Sequence, residues 1–260
     1  MGDLSLRARR HFVVGADLIG LLPGAPDDLP GTLVDSIEAA HGLSLPLVLG
    51  VFDGVLALKA SEGKETPVSV DFSGGKQGYR LAADRVRHER LIKALGGMPS
   101  ESLSVIDGTG GLGRDALVMA QAGFHVDVIE RSPIIHALLA DGIRRLERDD
   151  SALAARLTLH CADSAGWIQR STDTHFAVYL DPMFPQRQKS AAIKKDLLWL
   201  QQLEKAPAEN EAHVLLTAAR EHATKRVVVK RPARAMALDE QKPSYCLEGK
   251  AVRFDVYIKS

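Results

Sequence analysis

From Leu103 onward apolar residues fall into short runs, and the spacing between them alternates between two periods. The runs Leu103–Asp107, His125–Glu130, Arg156–His160, Phe176–Asp181 and Lys225–Lys230 have the length and composition of buried strands. Between the second and third, Ile134, Ile135, Leu138, Leu139, Gly142, Ile143 and Leu146 recur at helical spacing and mark one face of a helix as core. Helices are also predicted over Leu112–Gln121, Ser190–Lys205 and Glu209–His222. Strands alternating with helices in this way form a parallel sheet covered on both faces. The chain ends differently, because Ser244–Glu248 and Val252–Ile258 meet near Gly249 as an antiparallel hairpin. The pattern predicts an α/β fold: a Rossmann-like, mostly parallel sheet closed by a C-terminal antiparallel hairpin.

The first 75 residues have another texture, richer in Gly, Pro and short apolar runs. Leu47–Phe52 and Val55–Lys59 flank Asp53-Gly54, a dipeptide that favours a tight hairpin turn. Val68–Phe72 reads as a third strand and Thr32–His41 as a helix. Gly74–Arg80 resembles a connection, followed by a basic helix through Leu95 that stops at Gly96-Gly97. The expected organisation is a small N-terminal α+β subdomain over 1–75 and a Rossmann-like domain over 76–260.

A chain of 260 residues is long enough to bury a sizeable core. Its formal net charge of zero argues against a protein that binds polyanions over its whole surface. The charge is unevenly placed, however. Lys225, Arg226, Lys230, Arg231 and Arg234 follow one another with no acid among them, and a second basic stretch runs from Lys76 to Lys93. Such patches bind nucleic acid or simply solvate a face. Cys161 and Cys246 are too few for a disulfide framework or a zinc site, and the histidines lack ligand spacing, so no metal is expected. The apolar stretch after Arg7, Arg9 and Arg10 is broken by Gly15, Asp17 and Gly20, which is unlike a secretory segment. Nothing approaches transmembrane length, so the expected location is cytoplasmic, with no membrane partner.

The candidate chemistry begins at Val105–Asp115, VIDGTGGLGRD, a strand ending in an acid, then a glycine turn, then a helix start. Such turns bring backbone N–H groups and a helix N-terminus toward a ligand. Gly108, Gly110 and Gly113 also satisfy the dinucleotide spacing G-x-G-x-x-G literally. Asp107 weighs against that reading, since a carboxylate at the strand end repels pyrophosphate. It tolerates a cation, and S-adenosylmethionine carries a sulfonium and an ammonium without phosphate.

Further stations follow at the C-terminal ends of successive strands, where open α/β sheets bind ligands. Arg114 and Asp115 open the helix after the glycines; Asp115 either contacts ligand or complements the helix dipole. Glu130 ends its strand at the spacing of an acid that accepts hydrogen bonds from a ribose diol, and Arg131 beside it lies near adenine. Asp163-Ser164 either reads the adenine amino group or caps the next helix. Asp181-Pro182-Met183-Phe184-Pro185 resembles the [DN]-P-P-[YF] loop of methyltransferases acting on planar amines. There an Asp and a proline carbonyl accept the amine N–H bonds, drawing nitrogen toward tetrahedral geometry, while the aromatic ring stacks on a flipped base.

Together these residues resemble the ribosomal RNA small subunit methyltransferase J family. The matching segments are VDFSGG (Val70–Gly75), D-x-T-x-GLGRDA (Asp107–Ala116), ER-x-P (Glu130–Pro133), YLDPMFP (Tyr179–Pro185), QKSA (Gln188–Ala191), Lys194-Lys195, ATKRVVVKRP (Ala223–Pro232) and RFDVY (Arg253–Tyr257). The likeness runs from residue 70 to the C-terminus and is weak before it. Family members also carry small residues where this chain has Gly108 and Gly110, and Ser where it has Asp163.

The resemblance implies a class I S-adenosylmethionine-dependent methyltransferase that methylates the N2 amine of a guanine in 16S rRNA, within the small ribosomal subunit or its precursor. It implies a cofactor site made of Asp107, Gly111, Gly113, Arg114, Asp115, Glu130, Arg131, Asp163, Ser164 and Asp181. Asp181, Pro182 and Phe184 would be catalytic, and Lys189, Lys194, Lys195, Lys230 and Arg231 would contact RNA. Two other classes stay open on the residues alone: an NAD-dependent oxidoreductase using the glycine loop, and a non-catalytic RNA-binding protein on a methyltransferase fold. Within the enzyme class, DNA adenine or a protein glutamine is methylated by related loops.

Overall fold

The computed structural model describes residues 18–64, 66–72, 83–182, 209–238 and 242–259. They belong to two compact units, one containing Met1–Asp71 and Arg131–Gly142, the other Phe72–Glu130, Ile143–Phe184 and Pro207–Ser260.

The first unit holds a four-stranded sheet of order β2-β1-β3-β4, with β1 Ile19–Leu21, β2 Thr32–Leu33, β3 Leu47–Phe52 and β4 Val55–Ala60. β1 runs parallel to both β2 and β3, and β3 and β4 form the expected antiparallel hairpin. Asp53 and Gly54 both take positive φ (52° and 79°), the backbone of a type I′ turn whose twist matches its flanking strands. The helix expected over Thr32–His41 is shorter. Ser36 accepts the Ala39 N–H at 3.1 Å and starts helix α1 at Ile37–Gly42, while Thr32 and Leu33 pair with β1. The strand expected over Val68–Phe72 reduces to one bridge between Val68 and Leu58. Val34, Ala40, Leu45 and Val48 are the core of this unit, and Asp141 accepts the Leu56 N–H at 3.3 Å.

The second unit is built on a seven-stranded sheet of order β10-β11-β9-β8-β5-β6-β7. Its strands are β5 Ser104–Asp107, β6 His125–Glu130, β7 Leu157–Cys161, β8 Ala177–Leu180, β9 Arg226–Pro232, β10 Tyr245–Leu247 and β11 Val252–Ile258. β5 to β9 are parallel; β11 is antiparallel to both β9 and β10. This is the mostly parallel sheet with a C-terminal antiparallel hairpin that the apolar runs predict. The central strands β5, β6, β8 and β9 are rich in buried residues, as in a sheet covered on both faces. Ile106, Ile129, Val178, Leu180, Val227 and Val229 pack one face against Leu216, Ala218 and Ala219 of the helix Glu209–His222.

One helix departs from expectation. The basic segment ending at Leu95 is not continuous: helices cover Ala83–Val86 and Arg90–Ala94, and the residues before 83 lie outside the described ones. It stops where predicted, because Gly96 and Gly97 both take φ of 102° and Gly97 N–H reaches back to Ile92 O at 2.8 Å. The helix that Asp163 was expected to cap, for which no bounds were predicted, covers Ser164–Arg170. The helix expected over Ser190–Lys205 lies outside the described residues. No described helix is long and apolar enough to cross a membrane, and no group of three His, Cys, Asp or Glu among the described residues is arranged to hold a metal ion.

Candidate active site

Strand order reverses about β5, whose chain continues to β6 on one side while β8 lies on the other. The loops after β5 and β8 therefore open side by side at the C-terminal edge, the position at which doubly wound sheets bind ligands. Gly108 N–H donates to Tyr179 O and Gly110 N–H to Ile129 O, each at 2.9 Å, so the glycine loop is stitched to both neighbouring strands.

The geometry gives the glycines separate tasks. A Cβ on Gly108 would lie 2.7 Å from Leu180 Cδ2, and one on Gly110 would lie 2.8 Å from Val128 Cγ1 and 3.1 Å from Ile129 O. These two permit close approach of the loop to the protein's own strands. Gly111 and Gly113 instead take left-handed backbone, φ 51° and 71°, which turns the chain into helix α2, numbered here as Arg114–Gln121.

The predicted site residues up to Pro182, with Lys230 and Arg231, lie among the described ones. Glu130, at the end of β6, is buried, and its Oε2 accepts the Gly111 N–H at 2.8 Å, which orients the carboxylate beside the loop. Arg131 follows it, half-buried, and Arg114 is exposed at the start of α2. Asp163 is exposed and its Oδ2 caps its helix through Gly166 N–H at 2.9 Å; of the two roles open to it, the cap is the one observed. Ser164 donates to Gly108 O at 2.7 Å, joining the end of β7 to the glycine loop. Pro182 is buried. Phe184, Lys189, Lys194 and Lys195 lie outside the described residues.

Three carboxylates converge between β5 and β9. Asp107 is only 1% exposed, and burial pushes its carboxyl up to about 7; the Thr109 N–H at 3.1 Å and the Lys230 charge pull it down, while Asp115 and Asp181 push it further up. Asp181 is also raised, by burial first, with the Lys230 ammonium acting against the rise. Asp115 accepts the Tyr179 hydroxyl at 2.7 Å, and burial together with the nearby carboxylates keeps that phenol from ionising. The acid-rich lining is hostile to pyrophosphate and suited to a cationic ligand.

Two residues expected at RNA have partners within the protein. Lys230 was expected at an RNA phosphate, but its Nζ sits 2.8 Å from Asp115 Oδ2 and 2.7 Å from Asp181 Oδ2. Arg231 was expected there too, yet it is buried and its guanidinium donates to Met236 O at 2.6 Å and 3.2 Å. Of the same basic run, Arg226 is half-buried and donates to Ala94 O, which leaves Lys225 and Arg234 exposed. Sequence reasoning also missed Thr109. Its hydroxyl accepts the Asp181 N–H at 2.7 Å and lies 3.4 Å from Asp107 Oδ1, so it links the two acids; the only sequence signal for it was its place in the D-x-T spacing.

A separate polar network crosses the N-terminal half of the sheet. Asp127 joins His160 at 2.7 Å and His175 at 3.0 Å, and His175 joins His222 at 2.7 Å. Burial opposes ionisation of Asp127, but the two imidazole hydrogen bonds hold its carboxyl below the usual range.

A family model for SAM-dependent methyltransferases matches residues 33–259. The chain is 54% identical to the ribosomal RNA small subunit methyltransferase J of Alcanivorax borkumensis, over 92% of this chain and 95% of that protein. It is 42% identical to the protein of the same name from Alkalilimnicola ehrlichii, over 88% of this chain and 95% of the relative. Among solved structures, a SAM-dependent methyltransferase from Neisseria gonorrhoeae superposes with a TM-score of 0.69 at 30% identity, covering 92% of this chain and 95% of the other. With acids and a glycine loop gathered at the sheet's switch point, a family model over most of the chain and relatives of nearly full length lead to one assignment: the chain belongs to the ribosomal RNA small subunit methyltransferase J family of S-adenosylmethionine-dependent methyltransferases.

Proposed function

We propose that this protein methylates the exocyclic N2 amine of a guanine in 16S rRNA, acting on the small ribosomal subunit or its precursor in the cytoplasm. One observation carries the choice of a planar amine: Asp181-Pro182 follows β8 directly beside the glycine loop, with the Asp181 backbone tied to Thr109. S-adenosylmethionine, when bound, supplies an electrophilic methyl group. Glu130 suits its ribose diol, and the Asp107–Asp115–Asp181 cluster suits its cationic end. Asp163, Ser164, Arg114 and Arg131 complete the proposed pocket, with Gly111 and Gly113 shaping its floor.

The remaining work falls to the chain's own groups. A guanine amine is a poor nucleophile because its lone pair is delocalised into the ring. Asp181 and the Pro182 carbonyl would accept its two N–H bonds and turn the lone pair toward the donor. Phe184 would stack on the flipped base, a contact worth roughly 1–3 kcal/mol. The N–C bond forms as the S–C bond breaks, and the amine proton passes to Asp181 or water. Catalysis of this kind is chiefly positioning. Lys189, Lys194 and Lys195 are proposed to grip rRNA phosphates, and 1–75 to form a subdomain distinct from the catalytic one.

Single-turnover methylation of small-subunit particles, paired with donor titrations, tests the reading. Asp181→Ala should nearly abolish turnover with at most a modest loss of donor affinity, and Phe184→Ala should weaken productive RNA engagement alone. Near-wild-type guanine methylation by both variants would remove the amine-loop assignment.

A further inference from the structure

We propose that Lys230 is a positioning residue for methyl transfer: bridging Asp115 and Asp181 from strand β9, its ammonium keeps the Asp181 carboxylate charged and turned toward the target amine. This rests on the reading of Asp181 as the group that accepts the amine N–H.

The geometry is specific. Nζ lies within 2.8 Å of Asp115 Oδ2 and within 2.7 Å of Asp181 Oδ2, and the same Asp115 oxygen accepts the Tyr179 hydroxyl at 2.7 Å. Asp181 is thereby held at two points, its Oδ2 by the ammonium and its backbone N–H by Thr109. Rotation of the carboxylate would break the first contact, so Oδ1 is the oxygen presented to an incoming amine. Two of the three ammonium donors are thereby committed to carboxylates of the protein itself.

A compact ammonium suits this place, since it meets two carboxylates as a point charge where a guanidinium would need a planar fork. Burial works against its charge, but Asp115 and Asp181 outweigh that and hold it well above the ordinary amine range. Lys230 therefore stays protonated and serves as no proton acceptor. Among the described residues, the charged or titratable groups around Asp181 are Asp107 of β5, Asp115 of α2, Tyr179 of β8 and Lys230 of β9. Without the ammonium, three carboxylates would face one another. Like charges at such range force one to take up a proton. A protonated Asp181 donates a hydrogen bond where the reaction needs an acceptor.

The test is the pH dependence of single-turnover methylation for wild type, Lys230→Met, Lys230→Gln and Lys230→Arg. Each is also made in an Asp107→Asn background, which removes the neighbouring carboxyl that titrates near 7. The Met and Gln variants should be slower by about tenfold or more near pH 6.5, equivalent to one pKa unit, with the gap closing to within about threefold near pH 9. Lys230→Arg should keep the wild-type profile at a lower rate. If Lys230→Met does not fold, Lys230→Gln decides, and if neither folds, a shifted profile in Lys230→Arg overturns the proposal while an unshifted one supports it. A loss equal at every pH overturns the proposal, as does weaker particle binding with an unchanged rate at saturation. Asp181→Ala separates the two levels: full turnover there removes the underlying reading of Asp181. An inactive Asp181→Ala beside an unshifted Lys230→Met removes only the role given to Lys230.

Discussion

The hydroxyl of Thr109 accepts the backbone N–H of Asp181 at 2.7 Å, so a single side chain fixes the spacing between the cofactor loop and the loop proposed to hold the target amine. Thr109→Val keeps the shape and removes the acceptor, leaving a partly buried N–H unsatisfied at a cost of about 1–3 kcal/mol. The expected outcome is a tenfold or greater fall in single-turnover rate, about 1.4 kcal/mol or more, with donor affinity changed much less. Rapid-quench kinetics beside donor titrations reads both quantities, and a rate equal to wild type would show that the tie is dispensable.

Glu130 should dominate donor binding. Glu130→Ala removes hydrogen bonds to a charged group, each worth roughly 1.5–3 kcal/mol, and also frees the Gly111 N–H that the carboxylate orients. Calorimetric donor affinity is expected to fall by about tenfold or more. Unchanged binding would refute the assignment of this acid to the ribose.

Asp107 should couple donor binding to protons. Its folded pKa, raised to about 7 by burial, lies above its ordinary value, so the fold favours the neutral acid. The stability it contributes is complete below about pH 4 and is lost as pH rises through about 7, to a limit of about 4 kcal/mol. Asp107→Asn should therefore match wild type in thermal unfolding near pH 4, exceed it increasingly from there to about pH 7, and keep a constant margin above. A cationic donor favours the ionised acid, so binding near pH 7 should release protons and tighten as pH rises. Binding enthalpies in buffers of different ionisation heat measure the release.

The two close-packed glycines should differ in tolerance. An alanine methyl at Gly108 meets the far end of the Leu180 side chain, which can move, whereas one at Gly110 also meets backbone oxygen of Ile129. Gly110→Ala is expected to cost more stability and more donor affinity than Gly108→Ala, the overpacking range being about 1–3 kcal/mol. Denaturant unfolding and donor titration of the pair decide the order.

Much of this molecule was legible in its sequence, because local geometry and periodicity write themselves into neighbouring residues. The strand His125–Glu130, the helix Glu209–His222, the Asp53-Gly54 turn and the stop at Gly96-Gly97 needed no partner to be read. Asp107 and the glycines after it announced a methyl donor for the same reason. The tertiary structure alone decided what the distant groups do. Thr32 and Leu33 look helical locally, but pairing with β1 makes them strand. Gly108 and Gly110 look like a ligand cradle, and the crowding comes from β8 and β6. Lys230 and Arg231 look like one basic patch, yet successive side chains of a strand face opposite ways. β9 also lies beside β8, so Lys230 meets an aspartate 49 positions away. Periodicity is a property of a few consecutive residues, whereas the partner of a charge depends on strand order, which no local window contains.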